Sequence, residues 1–298
     1  MTSQSPLDPG LDAGSNLAHV RIVLVAPAGP LNVGSVARVM KNFGLSQLVL
    51  VNPQCDPLGS EALQMAVHAK DVLQNALRVA SIPAALVGCD RAIATTARPR
   101  GFDAPLDLPE VALPYLLTET APANSSDDRV PNPLPDTALL FGPEDRGLSN
   151  EELAYAQRFT KIPTDPGYSA LNLAQAVAIC CYELYRASQY PFNTLRTSPL
   201  SGKQTQSDVT NQPEPNKAKL EDLEGYYQHL ESVLLKVEYL YAHTAASRMR
   251  KFRQLLHRAS PTASEVALLR GILRQVEWAV SNSTSDSTPD STPDSKKD

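Results

Sequence analysis

The residues of this 298-residue chain that could carry chemistry fall into three groups of loops. The first, residues 30–38, reads P-x-N-x-G-x-x-x-R and opens a helix directly after an apolar run. With Asn32 as its N-cap, Asn32 and Gly34 sit where backbone N–H groups are free, a setting suited to an anion or polar ligand. Arg38 follows Gly34 by one helical turn and shares its face. The second, residues 94–100, reads A-T-T-A-R-P-R at the carboxyl end of a predicted strand, where ligands of open α/β sheets sit. Proline between Arg98 and Arg100 holds two guanidinium groups extended and apart, spaced for two phosphates or for a phosphate and a carboxylate. The third is a pair, F-G-x-E-x-x-G-L over 141–148 and I-P-x-x-x-x-Y-S-x-L-N-L over 162–173. Each joins a strand end to a helix start through small, polar or proline residues, leaving backbone amides and carbonyls open to a ligand. Asn172, read as a polar residue in an apolar helix, needs a hydrogen-bond partner. Capped helices and solvated turns account for the same residues on pattern alone.

Common alternatives are missing. No G-x-G-x-x-G follows the first strand, the 29–35 stretch lacks the lysine of a phosphate-binding loop, and no G-x-S-x-G occurs. The four cysteines, Cys55, Cys89, Cys180 and Cys181, have no C-x-x-C spacing, and no histidine lies near them in a ligand pattern, so no metal site is expected. The N-terminus has neither a basic start nor an apolar core, and no run of about 18 apolar residues exists. A soluble cytoplasmic protein is the expectation.

The elements that must position these loops alternate. Strands are predicted at 21–26, 47–51, 91–96 and 137–141, and helices at 33–43, 59–75, 81–88, 107–117, 151–156 and 171–186. Gly44 stops the first helix, and Ser149-x-x-Glu152 forms a capping box. Such alternation means an α/β domain with a mainly parallel sheet. Residues 187–219 contain 19 Ser, Thr, Asn, Gln or Pro among 33 and read as a linker. Beyond it only helical patterns occur, at 221–241, 246–257 and 262–280. Residues 1–18 and 281–298 lack periodicity and read as a disordered arm and tail. The organisation is then arm, α/β domain at 19–186, linker, helical domain at 220–280, and tail.

Charge divides along the same lines. The whole chain carries 27 basic and 32 acidic groups, which excludes a polycation gripping nucleic acid by bulk charge. Residues 19–186 hold 13 basic and 17 acidic groups; residues 219–280 hold 9 and 7. Arg248, Arg250, Lys251, Arg253 and Arg258 share one predicted helix without an acid, and Phe252, Leu255 and Leu256 are expected to form its buried side.

P-x-N-x-G-x-x-x-R, then F-G-x-E-x-x-G-L, then I-P-x-x-x-x-Y-S-x-L-N-L, in this order, resemble motifs 1, 2 and 3 of the SPOUT superfamily of knotted methyltransferases, and within it the TrmH-like ribose 2′-O-methyltransferases. The T-T-A-R-x-R loop and the R-M-R-K-F-R and L-L-R-G-I-L stretches of the tail make the chain similar to the bacterial tRNA (cytidine/uridine-2′-O-)-methyltransferases acting on position 32 of the anticodon loop. The likeness covers about 19–186 and 219–278. Pro143 stands where relatives often carry arginine, and the linker is long.

The resemblance implies a Rossmann-like parallel sheet whose last part is threaded into a deep trefoil knot, with a small all-helical domain following. It implies S-adenosyl-L-methionine as cofactor, lined by Thr95, Thr96, Ala97, Gly142, Ile162, Ser169, Ala170 and Leu171. Catalysis would fall to Arg38, with Asn32, Glu144, Ser169 and Asn172 around the reacting ribose. Arg98 and Arg100 would hold tRNA, and the charge pattern of the helical segment adds Arg250, Lys251 and Arg253 to them. The implied partners are tRNA and a second copy in a homodimer, with no DNA and no membrane. The face of Leu171, Ala174, Val177, Ala178 and Cys181 could pack within or between subunits. The family assigns proton removal to the arginine matching Arg38; a guanidinium is in general a poor base, so fixing a phosphate and stabilising the alkoxide stands as an equal alternative. Methylation of another RNA such as rRNA, a non-catalytic RNA-binding protein of the same fold, and an enzyme using a different nucleotide are the competing readings.

Overall fold

The computed structural model describes residues 17–97, 105–118, 135–189 and 217–283. The chain divides into two compact units, one ending at Glu221 and one starting at Asp222.

The first unit contains strands β1 (Val20–Val25), β2 (Gln47–Val51), β3 (Leu77–Val79), β4 (Arg91–Thr95), β5 (Leu106–Asp107), β6 (Thr137–Phe141) and β7 (Arg158–Thr160). They form one parallel sheet in the order β3-β2-β1-β6-β4-β7-β5. Ile22, Val23 and Leu24 of β1 and Leu139 and Leu140 of β6 are fully buried, so the centre of the sheet is covered on both faces. Continuous apolar runs are what such strands require. The predicted α/β class and parallel sheet are therefore observed. Strands β3, β5 and β7 were not anticipated; at two or three residues each they are too short to show a period.

Helices differ from expectation mainly at their ends. Helix α1 (Pro30–Asn42) starts three residues earlier than predicted, with Gly29 as its N-cap and no side-chain cap. Proline tolerates the first turn because its missing N–H has no partner there. Asn32 is thus not the cap but a first-turn residue whose side chain bonds outside the helix, to Glu144 and Asn172. Gly44, at φ 74°, ends the helix as predicted. The 59–75 helix is two helices, α2 (Ser60–Ala66) and α3 (Lys70–Gln74), broken where Val67 takes φ 53°. The 81–88 stretch holds only α4 (Ile82–Ala85), and the 107–117 stretch is the end of β5 followed by α5 (Pro109–Ala112) and a 3-10 turn (Leu113–Leu117). The capping box of Ser149 and Glu152 opens α6 (Asn150–Leu153).

The site helix α1 is held by a glycine contact. A Cβ on Gly34 would lie 2.3 Å from the Ala62 carbonyl oxygen and 2.9 Å from Met65 Cβ. Gly34 is buried inside α1 and serves the close crossing of α1 and α2, which corrects its reading as an open anion-binding position. Gly34→Ala is expected to push the helices apart and destabilise the protein by about 1–3 kcal/mol, the usual range for overpacking. Urea unfolding of the variant measures this directly; wild-type stability would show that the crossing tolerates a methyl group.

Helix α7 (Leu173–Gln189) buries Leu173, Val177, Cys180, Cys181 and Leu184. This corrects the expected face: Val177 and Cys181 are shared, but Leu171 precedes the helix and is 36% exposed. At the unit's ends, Leu17 is fully buried, and Leu220 donates its amide to the Cys89 carbonyl at 3.1 Å. Glu221 accepts from the Gly88 amide at 3.3 Å. Residues 190–216 of the predicted linker lie outside the described residues.

The second unit is helical: all but the first residues of α8 (Leu220–Lys236), then α9 (Ala242–Ala259) and α10 (Ala263–Ser283). Tyr227, Val233, Leu240, Ala245, Met249 and Val266 are buried. No helix of the described residues is long and apolar enough to cross a membrane.

Candidate active site

Strands β2 and β3 lie on one side of β1, while β6, β4, β7 and β5 lie on the other. The strand order therefore reverses at β1, and the crevice beyond the carboxyl ends there is where open α/β sheets bind ligands. Register places Leu24 beside Phe141, Ala94 beside Leu140, and Thr95 beside Thr160. Consequently Ala28 and Gly29, Gly142, Thr96, and Ile162 all follow the ends of four adjacent strands.

Glu144 organises this edge. Its carboxylate accepts hydrogen bonds from the Ala28 amide at 3.0 Å, the Gly29 amide at 3.1 Å and Asn32 Nδ2 at 2.8 Å. Burial alone pushes the Glu144 carboxyl up, but the bonds from Asn32 and the backbone amides outweigh it and hold the group below the ordinary carboxylate range. Asn32 Oδ1 in turn accepts from Asn172 Nδ2 at 2.9 Å. Asn172 Oδ1 accepts from the Ala174 amide at 2.9 Å, and the Asn172 amide donates to Gln175 Oε1 at 3.2 Å. Glu144, Asn32 and Asn172 are thus joined in one chain of bonds spanning the loops after β1 and β6 and the start of α7. Asn172 is exposed and caps α7 rather than lying buried within it, which corrects its predicted setting. Its cap partner Gln175 was missed, although N-x-x-Q is a capping-box spacing visible in the sequence. The Ala28 and Gly29 amides left no sequence signal at all.

Two of the predicted catalytic side chains stand outside this frame. Arg38 is exposed on α1 and makes no hydrogen bond or ion pair among the described residues. Ser169 is exposed, and only its carbonyl is engaged, by Thr164 Oγ1 at 3.3 Å. The predicted cofactor residues cluster at the strand ends. Thr95 donates its hydroxyl to the Leu140 carbonyl at 3.1 Å, and the Thr96 amide donates to Thr160 at 3.0 Å. Ala97 is exposed beside them. Gly142 has a backbone reason to be glycine: a Cβ would lie 2.2 Å from Gly147 C and Leu148 N. The backbones of Ile162, Ala170 and Leu171 make no hydrogen bond among the described residues, so they offer unused amides and carbonyls. Arg98 and Arg100 lie outside the described residues. No group of three or more His, Cys, Asp or Glu among the described residues could hold a metal ion.

On α9 the predicted basic set divides. Arg248 and Lys251 are exposed, as is Arg258. Arg253 is not free: its guanidinium makes two bonds to Glu224, at 2.6 and 2.9 Å, and lies 4.4 Å from the Tyr227 ring centre. The pair is 14% and 16% exposed. Arg250 also has a partner. The buried side of α9 is Ala245 and Met249, whereas Leu255 is 53% exposed, so the predicted face of Phe252, Leu255 and Leu256 is corrected. Removing the arginine would strand the Glu224 charge. Arg253→Ala is expected to destabilise the helical unit by about 3 kcal/mol, read in a denaturant melt; an unchanged melt would make Arg253 a surface residue after all.

Comparison with known proteins gives this sheet, its linked loops and the helical unit their class, a methyltransferase. The chain belongs to the SpoU rRNA Methylase family, whose model matches residues 19–182, and the C-terminal domain of the tRNA methyltransferase TrmJ matches residues 221–286. It is 38% identical over 264 residues to the tRNA (cytidine/uridine-2′-O-)-methyltransferase TrmJ of Pectobacterium atrosepticum, covering 88% of this chain and 98% of that one. The TrmJ of Shigella dysenteriae is 38% identical over 262 residues, covering 88% and 96%. Among solved structures, TrmJ from Z. mobilis superimposes with a TM-score of 0.69 at 31% identity, covering 86% of this chain and 98% of that one.

Proposed function

We propose that this protein transfers a methyl group from S-adenosylmethionine to the ribose 2′-hydroxyl of a pyrimidine at position 32 of the tRNA anticodon loop. The observation that carries the reading is the Glu144–Asn32–Asn172 chain of bonds, which gathers all three motif loops at the switch point and leaves Arg38 uncommitted further along α1. The similarity to TrmJ relatives over 88% of the chain supplies the tRNA substrate.

The cofactor fits the groups present. Adenine recognition needs a donor and an acceptor on one edge, and the unused backbone groups of Ile162, Ala170 and Leu171 provide both. Thr95, Thr96, Ala97 and Gly142 complete the lining, and on this reading the last part of the sheet is threaded into the trefoil knot. When bound, S-adenosylmethionine supplies a methyl carbon activated by the positive sulfur that carries it. Because that leaving group is already good, the residues have mainly to position the hydroxyl, a task worth about 7–11 kcal/mol when geometry is tight. Glu144, Asn32 and Asn172 hold the loops, and Ser169 stands free to hydrogen-bond the ribose. Arg38 fixes the phosphate next to the reacting ribose and stabilises negative charge growing on the 2′ oxygen as its proton passes to solvent water; accepting that proton itself is the alternative.

The working unit is a cytoplasmic homodimer. The exposed Ile179, Tyr182 and Tyr185 on α7 offer an apolar surface for a second copy. Incubating the pure protein with labelled cofactor and total tRNA, then mapping 2′-O-methyl groups, tests the assignment. Label at position 32 is expected. Label confined to rRNA, or tighter binding of ATP than of S-adenosylmethionine, would replace it.

A further inference from the structure

The turn between α8 and α9 carries two tyrosines that the packing of the helical unit does not use. Helix α8 ends at Lys236, and Glu238 takes the left-handed conformation at φ 57°. The amides of Tyr239 and Leu240 both donate to the Leu234 carbonyl at 3.0 Å. Leu240 is 2% exposed, whereas Tyr239 and Tyr241 on either side are 53% and 55% exposed. Leu240 lies in the packed interior of the helical unit, and the tyrosines on either side of it lie at its surface. Tyr241 is extended (φ −116°, ψ 146°) and is the N-cap residue of α9, its carbonyl accepting from Thr244 at 2.8 Å and Ala245 at 2.9 Å. The turn is therefore fixed at both ends before any ligand arrives.

An arginine adjoins one ring and a histidine the other. Arg248 Nη1 donates to the Tyr239 carbonyl at 3.1 Å, and its guanidinium carbon lies 5.4 Å from the centre of the Tyr239 ring. The His243 ring lies 21° from the plane of Tyr241, with centres 6.0 Å apart. Exposed Arg248, Lys251 and Arg258 follow along α9, which contains no acid; Glu238 is the acid of the turn itself. Exposed aromatic faces next to cations match single-stranded nucleic acid, whose bases stack and whose phosphates pair. A protein partner would not call for the run of cations beyond the rings.

We propose that Tyr239 and Tyr241 form a stacking platform for unpaired bases of the RNA substrate, with Arg248 at the adjoining phosphate. This rests on the reading of the protein as a tRNA methyltransferase. The test uses the full chain and measures affinity for a tRNA transcript against salt. Tyr239→Ala/Tyr241→Ala is expected to weaken binding roughly 5- to 100-fold, the span of one stacked base, with the salt slope unchanged. Tyr239→Phe/Tyr241→Phe keeps the ring faces and should bind like the wild type. Arg248→Ala should lower the slope by about one. Circular dichroism melts of all variants check that the fold is intact. Retention of tRNA by the alanine pair as well as by the wild type would overturn the platform alone. Loss of self-association in sedimentation, with RNA affinity unchanged, would assign the tyrosines to a second copy and also overturn it. A wild-type chain that retains no tRNA would instead overturn the proposed function.

Discussion

Arg38→Ala is expected to slow methyl transfer at least about a hundredfold, the low end for a positioned catalytic group, while cofactor affinity stays near that of the wild type. The structure makes this a clean experiment. Arg38 is exposed and has no hydrogen-bond or ion-pair partner among the described residues, so its loss strands no buried group and should leave stability unchanged. The cofactor candidates Thr95, Thr96, Gly142 and Ile162 sit on the ends of β4, β6 and β7 and in the loops after them, not on α1. Single-turnover methylation of tRNA with saturating cofactor isolates the step. Arg38→Lys adds a second reading. A lysine keeps the charge but loses the planar fork that binds phosphate in two places. Partial activity in the lysine variant would favour charge stabilisation of the 2′ oxygen, and none would favour bidentate positioning. Near-normal turnover in Arg38→Ala would remove Arg38 from the mechanism.

Long buried strands such as β1 and β6 announce themselves by continuous apolar runs, so the parallel α/β class was legible. Motif order also placed Asn32, Glu144 and Asn172 on three loops that meet. Their partners were less visible, because a carboxylate held by the Ala28 and Gly29 amides uses backbone groups that every residue carries. Gly34 misled for a related reason: glycine marks close approach, but the sequence does not say whether a ligand or another helix approaches. Here it is the Ala62 carbonyl of α2. On α9 the error was one of direction. A run of Arg and Lys at mixed helical angles must place some of them inward, and Arg253 turned to Glu224, a residue 29 positions away that no local pattern connects to it. Met249 supplied the buried contact instead, midway between the cations flanking it.

Removing the helical unit is expected to weaken tRNA binding by at least about tenfold at physiological salt and to flatten its salt dependence, since each lost phosphate contact lowers the slope by roughly one. The charge distribution favours such a division of labour. Residues 19–186 carry 13 basic against 17 acidic groups and cannot attract a polyanion over distance, whereas residues 219–280 carry 9 against 7. The structure fixes where to cut. Leu220 and Glu221 bond to Cys89 and Gly88 of the first unit, so a chain ending at Lys219 would lose those contacts. Ending it at Glu221 keeps them, and cofactor binding should survive because every candidate pocket residue lies earlier. The structure also fixes which charges to remove. Arg253 is committed to Glu224, so its loss would destabilise the unit and not report on RNA alone. Lys251 and Arg258 are seven residues apart on the exposed side of α9, and Lys251→Ala/Arg258→Ala should lower the slope by up to about two without altering the melt. Affinity for tRNA is then measured against salt for the wild type, the truncated chain and the double variant. A truncated chain that follows the wild-type line would make the helical unit structural. A double variant that follows it while the truncated chain does not would move the phosphate contacts off this face of α9.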